Sequence, residues 1–128
     1  MKTSDFDFFS QEEAEVFDNT VGIRRRHIAP DNMCASDMCQ AAAEKLLEEL
    51  GWERDSIDVL LFESVTGDYR TPPTSCILQD RLALSENCFC MDIPMGCCGC
   101  MYAITVAGNL LTTGNVKRAL LLIGDTAL

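Results

Sequence analysis

The chain has 128 residues, 48% of them hydrophobic, and a formal net charge of −10 at pH 7. That apolar content excludes a disordered chain, and the length allows one modest core and hardly two. The acidic balance speaks against nucleic acid or an anionic membrane surface as a partner, and no apolar run is long enough to span a bilayer.

The opening Met1-Lys-Thr-Ser-Asp-Phe-Asp is acidic and broken, unlike an export signal, which makes a cytoplasmic protein the expectation. Residues 1–9 are aromatic and acidic without a clear period. Ser10-Gln-Glu-Glu13 is a capping box, with Glu13 reaching back to Ser10, and predicts a short helix to about Asn19. Gly22 closes it in a turn, and Ile23-Arg-Arg-Arg-His-Ile28 follows as an extended basic segment. Three adjacent arginines suit a phosphate. They equally suit the acidic side chains of residues 5–18, and the commonness of solvated charge runs favours that pairing. His27 is expected to be a hydrogen-bonded structural residue rather than a catalytic one.

Ser36 is expected to cap a second helix, with Asp37 in its first turn. Cys39, Ala42, Ala43, Leu46, Leu47 and Leu50 recur at helical spacing as an amphipathic stripe, and Gly51 stops it. Ile57-Asp-Val-Leu-Leu-Phe62 reads as a buried strand and Glu63–Thr71 as a loop. Pro72 and Pro73 mark the start of a helix reaching about Leu84, where a missing N–H costs nothing.

Residues 88–93 are short, apolar and free of breakers, and predict another buried strand, ended by Pro94. Gly96 and Gly99 flank Cys97 and Cys98 and permit a tight turn. Beyond it Cys100, Ile104, Ala107, Gly108 and Leu111 share one helical face, with Gly114 placed as C-cap. A thiol at the start of such a helix faces unpaired backbone N–H groups and the positive end of the helix dipole, both of which favour the thiolate. The same groups can hydrogen-bond an oxyanion, so a cysteine here suits thioester exchange. A core turn of small buried residues is the other reading, because free cysteine is often a small hydrophobe. Ala119-Leu-Leu-Leu-Ile-Gly124 is a last strand, apolar on both faces as in the middle of a parallel sheet.

The eight cysteines are at 34, 39, 76, 88, 90, 97, 98 and 100. Most fall inside apolar patterns in a chain without an export signal, so reduced thiols are expected rather than a disulfide framework. Cys97, Cys98 and Cys100 are too crowded for ordinary zinc-ligand loops, and His27 is remote in sequence, so no metal is expected. Continuous apolar strands alternating with amphipathic helices imply right-handed βαβ units and a layered α/β fold with a mostly parallel sheet. No strand precedes the first helix, and the sequence stops at Leu128 directly after a strand of central type, which leaves that strand's edge and one helical layer unaccounted for.

Four stretches resemble β-ketoacyl-acyl carrier protein synthase III, a family with the thiolase fold. They are Gly22-Ile-Arg-Arg-Arg-His-Ile-Ala, Thr71-Pro-Pro-Thr-Ser-Cys-Ile-Leu-Gln-Asp-Arg-Leu, Asp92-Ile-Pro-Met-Gly-Cys97-Cys-Gly and Gly114-Asn-Val-Lys-Arg-Ala-Leu-Leu-Leu-Ile-Gly-Asp. The resemblance runs from about Phe8 to Leu128 in the right order. It implies that residues 1–128 are the amino-terminal half of a thiolase-like domain, without its first strand and its carboxy-terminal half. It implies that Cys97 is the catalytic nucleophile, with Asp92 and Gly99 fixing the register and Cys98 turned into packing. Acyl-CoA would be the substrate rather than a covalently held cofactor, and malonyl-acyl carrier protein the second substrate.

The family's catalytic His and Asn belong to the half not contained here, so the chain alone is expected to be inactive. The family's prototype grips CoA with a Trp and an Arg; the aligned positions here are Val16 and Thr20, which supply neither group. By resemblance, segment 63–73 and strand 88–93 would form a homodimer interface. Lys117 and Arg118 would be the local cations for an acidic carrier protein. The alternatives are a split subunit completed by a second chain, or a thiol-rich metal or redox protein.

Overall fold

The computed structural model describes residues 1–126, so Ala127 and Leu128 of the expected chain end lie outside the described residues. The chain folds into two units, Met1–Asp31 and a larger one from Asn32 onward.

In the first unit, helix α1 covers Gln11–Val21. Its capping box is in place: Glu13 N–H donates to Ser10 Oγ at 3.2 Å and Ser10 N–H to Glu13 Oε2 at 2.9 Å. Gly22 closes the helix in the left-handed conformation with φ +76°. The expected pairing of the arginines with residues 5–18 does not form, because no ion pair joins them among the described residues. Arg26 instead donates to Thr3 Oγ1 at 3.1 Å and lies 5.4 Å from the Phe17 ring centroid. His27 is exposed and makes no side-chain hydrogen bond among the described residues, so it is not the bonded residue expected.

The second unit contains α2 (Ala35–Leu50), β1 (Val59–Glu63), α3 (Thr74–Arg81), β2 (Phe89–Ile93), α4 (Gly99–Leu111) and β3 (Ala119–Ile123). The strands form a parallel sheet in the order β2-β1-β3, with Val59 level with Phe89 on one side and Ala119 on the other. The chain moves one way from β1 to β2, then back across β1 to β3. Right-handed crossovers therefore place α3 and α4 on opposite faces. Leu60 and Phe62 of β1 pack with α2 and α3 through Ala43, Leu47, Leu78 and Leu82. Val59 and Leu61 pack with Ala103 and Ala107 of α4. This is the period-two alternation of a strand covered on both sides.

Several expectations change. Cys34, not Ser36, is the N-cap of α2; its N–H donates to the returning carboxylate of Asp37 at 2.9 Å. Ser36 is the second residue of the helix, buried, and its hydroxyl donates to Asp68 at 2.5 Å. The buried stripe of α2 narrows to Ala35, Cys39, Ala43 and Leu47, while Ala42, Leu46 and Leu50 face out. Pro72 and Pro73 precede α3 rather than open it, Pro73 being its N-cap.

The central strand is β1, all five residues of which are buried, and β3 is an edge strand among the described residues. β2 is the other edge, with Phe89 half exposed, rather than a buried strand. An apolar strand shows that both faces are covered, but not whether its hydrogen-bonding edges are. The inward face of α4 is Gly99, Ala103 and Ala107, with Val106 and Leu110 against it, so Ile104, Gly108 and Leu111 of the expected face point outward. Thr112 is the C-cap of α4, and Gly114 sits in the turn beyond it at φ +81°.

Candidate active site

The site sits at the carboxyl ends of the parallel strands, where open α/β sheets bind ligands. β2 ends at Ile93, Pro94 and Met95 lead away from it, and Gly96–Cys98 form one 3-10 turn that runs directly into α4. Gly96 has φ +62°, which a side chain would strain. Cys97 is exposed on this turn. At 13 residues α4 is long enough to carry a dipole, and neither N-cap residue, Met95 for the turn or Cys98 for α4, caps with its own side chain.

The turn explains which of the neighbouring cysteines face solvent. Cys98, expected in packing, is exposed, and its thiol donates to the Met95 carbonyl at 3.3 Å. The inward position belongs to Gly99, directly over the side chain of Glu63. A Cβ built on Gly99 would lie 2.0 Å from Glu63 Oε1. Cys100 is half buried.

Sequence reasoning missed Glu63, which it left in a loop. Glu63 is the last residue of β1 and only 2% exposed. Its Oε1 has no hydrogen-bond partner among the described residues. Burial, and then the negative charge of Asp125, push its carboxyl above the ordinary value of 4.5, against the pull of the Gly96 and Met95 N–H groups. The available signal was parity: Val59, Leu61 and Glu63 share the face of β1 that meets α4.

Asp125, beyond β3, closes the far side. Its Oδ1 accepts from Ser64 Oγ at 2.9 Å, Val65 N–H at 2.8 Å and both the N–H and hydroxyl of Thr66 at 3.2 Å. Burial works against this carboxylate, but the bonds from Ser64, Val65 and Thr66 outweigh it and hold Asp125 below its ordinary value. Asp92 clamps the neighbouring helix: its two oxygens accept the Thr74 and Ser75 N–H groups at 2.7 and 2.8 Å. Ser64, Val65, Gly67, Tyr69, Asp92 and Pro94 are among the residues lining a cleft of about 510 Å³ beside the turn. A larger open groove of about 740 Å³ around Trp52 and Ala83 lies at the other end of the strands, away from Cys97.

Cys34, Cys76, Cys97 and Cys98 are exposed, and all eight thiols are free. Burial pushes the Cys39 thiol up to about 11 and the Cys90 thiol up to about 12. Among the described residues no group of three His, Cys, Asp or Glu side chains is arranged to hold a metal ion.

No family model matches the chain. The β-ketoacyl-[acyl-carrier-protein] synthase III of Xanthomonas oryzae is 37% identical over 111 residues, which are 87% of this chain and 34% of that protein. The crystal structure of 3-oxoacyl-(acyl-carrier protein) synthase from Burkholderia xenovorans superimposes with a TM-score of 0.79 at 42% identity, covering 88% of this chain and 32% of that one. The chain belongs to the β-ketoacyl-acyl carrier protein synthase III family.

It spans about a third of the length of the curated relatives it matches. A crystal structure of OleA from Xanthomonas campestris is also similar, at a TM-score of 0.78 and 28% identity over 88% of this chain and 33% of that one. The parallel sheet with helices on both faces is thus the thiolase-like architecture of synthase III proteins. Val16 and Thr20 line a mostly apolar groove of about 590 Å³ with Phe9 and Phe17 in the Met1–Asp31 unit. No helix among the described residues is long and apolar enough to cross a membrane.

Proposed function

We propose that this chain carries the nucleophile of a synthase III-type condensing enzyme, and that Cys97 is that nucleophile. The observation supporting this is the exposure of Cys97 on a glycine-bounded turn at the uncapped amino end of α4. The Cys97 thiolate attacks the carbonyl of an acyl-CoA, and the N–H groups at that helix end stabilise the oxyanion as the C–S bond to CoA breaks. CoA leaves as its thiolate, which takes a proton from solvent, and the acyl group stays on Cys97. Malonyl-acyl carrier protein then loses carbon dioxide, its carbanion attacks the acyl-thioester, and the 3-oxoacyl product leaves with Cys97 restored as thiolate.

In the family this second stage uses a His and an Asn that no residue matched here supplies. The chain alone is therefore expected to accept an acyl group without turning over. Incubation with radiolabelled acyl-CoA, followed by intact-mass and peptide analysis, should give one acyl adduct, at Cys97, and no ketoacyl product. Cys97→Ala should abolish the adduct. Steady product from the chain alone would overturn its inactivity, and an adduct retained in Cys97→Ala would overturn the choice of cysteine.

A second reading, a subunit completed by further protein, is favoured by α4. Met101, Tyr102, Ile104 and Leu111 are exposed on the side away from the sheet, and a helix apolar all round is normally covered on all sides. Co-purification of a second polypeptide bearing the missing His and Asn supports this form. A clean monomer in light scattering, with no such companion, counts against it.

A further inference from the structure

A buried carboxyl group lies directly behind the turn that carries Cys97, and the acyl-transfer chemistry does not use it. Glu63 reaches this place because β1 alternates: Val59 and Leu61 enter the α4 side of the core, and Glu63, next on that face, meets the helix where it begins. Its Oε1 is sealed and without a partner among the described residues. Glycine at 99 makes the room for it, since a Cβ there would lie 2.0 Å from Oε1, 2.2 Å from Cδ and 2.4 Å from Cγ. The Gly96 and Met95 N–H groups bear on the same carboxyl from the residues just before Cys97.

We propose that Glu63 is a positioning residue that tunes Cys97: its carboxyl, locked behind residues 95–99, sets by its charge how readily the thiol of Cys97 becomes a thiolate. The physical reason is competition. A carboxylate at 63 and a thiolate at 97 are like charges drawing on one short stretch of polarised backbone, so each disfavours the other. With Glu63 neutral, the helix end is left to the sulfur and to the oxyanion formed from its substrate. The charged group facing Glu63 from outside the turn is Asp125, also an acid, which favours that neutral form. Asp125 also bears on the buried Cys39 of α2, so the negative charges here disfavour one another.

The proposal rests on Cys97 as the acyl acceptor, and the experiment separates the two. Iodoacetamide alkylation of the full chain is followed against pH at each cysteine by peptide mass mapping, in the wild type and in Glu63→Gln. Glutamine keeps the shape and removes the charge. Once the pH is high enough to ionise Glu63 in the wild type, Cys97 in Glu63→Gln should react about three to ten times faster, its profile moving to lower pH, while exposed Cys34 is unchanged. A role confined to packing would not move the pH profile.

The wild type alone gives a second reading should the variant fail to fold. Followed upward from acidic pH, the ratio of the Cys97 rate to the Cys34 rate should fall as Glu63 ionises above pH 4.5. Coincident profiles, or a flat ratio, overturn the proposal. Failure of acyl-CoA to label Cys97 would overturn the acyl-acceptor reading alone, because alkylation reports on the thiol without it.

Discussion

Gly99 and Glu63 show how one missing side chain sets a site. Alanine at 99 would place its Cβ inside the Glu63 carboxyl, and the neighbour cannot move away cheaply because it is buried on the central strand. Gly99→Ala should cost about 1–3 kcal/mol, read as a lower urea midpoint, and adding Glu63→Ala should return part of that loss. The same carboxyl gives a pH dependence of known sign. Its folded-state value is raised above 4.5, so the folded protein holds this proton more tightly than the unfolded chain. Its stabilising contribution is complete below 4.5 and is lost as pH rises through the raised value. Glu63→Gln should therefore gain stability over the wild type as pH rises above 4.5 and then level off, in denaturant midpoints measured across pH. Asp125 runs the other way: lowered from 3.8, it stabilises above that pH and loses its effect as pH falls through its own value. Sequence showed Glu63 only as a charge after an apolar run, since nothing local says which backbone a strand's last residue will meet.

Among the helices, α3 depends most on a residue outside itself. It has eight residues and begins after Pro73, which offers no side-chain acceptor. Its first N–H groups are held instead by the two oxygens of Asp92 on β2, 17 and 18 residues away in sequence. That carboxylate also complements the positive end of the helix. Asp92→Ala should cost about 1–2 kcal/mol, visible as a lower melting temperature and as faster amide exchange at Thr74 and Ser75. Asp92→Asn, which keeps one acceptor oxygen, should lose less. The existence of α3 was legible from its prolines and the residues that follow them. Its cap was not, because capping motifs read from sequence are local and this one forms across the sheet. By contrast the α1 capping box, three residues apart, was read correctly from Ser10 and Glu13.

For the larger unit as a whole, the outer surface of α4 and the two sheet edges carry the consequence. Met101, Tyr102 and Ile104 expose apolar surface on one side of a helix whose other side is packed, and Phe89 and Ile123 add to it at the edge strands. Exposed apolar side chains concentrated on one side of a helix are the mark of an interaction face. Replacing Tyr102 and Ile104 by lysine should lower the binding of a hydrophobic fluorescent dye by about half while leaving the melting temperature nearly unchanged, since neither residue is in the core. Unchanged dye binding would place the exposed apolar surface elsewhere. The net charge of −10 opposes self-association by repulsion and does not bear on the fold.

By itself the sequence determined the order of elements, their parallel α/β character, the glycine-bounded turn around Cys97 and the family. All of these follow from spacing along the chain: a period of two or 3.6, a breaker, a motif in register. Only the tertiary structure decided that β1 rather than β3 is central, that Cys98 faces solvent, that α4 packs through Gly99, Ala103 and Ala107, and that Glu63 lies beneath the turn. A strand apolar on both faces does not say whether its edges are paired. A helix apolar all round has no preferred face until a sheet is set against it.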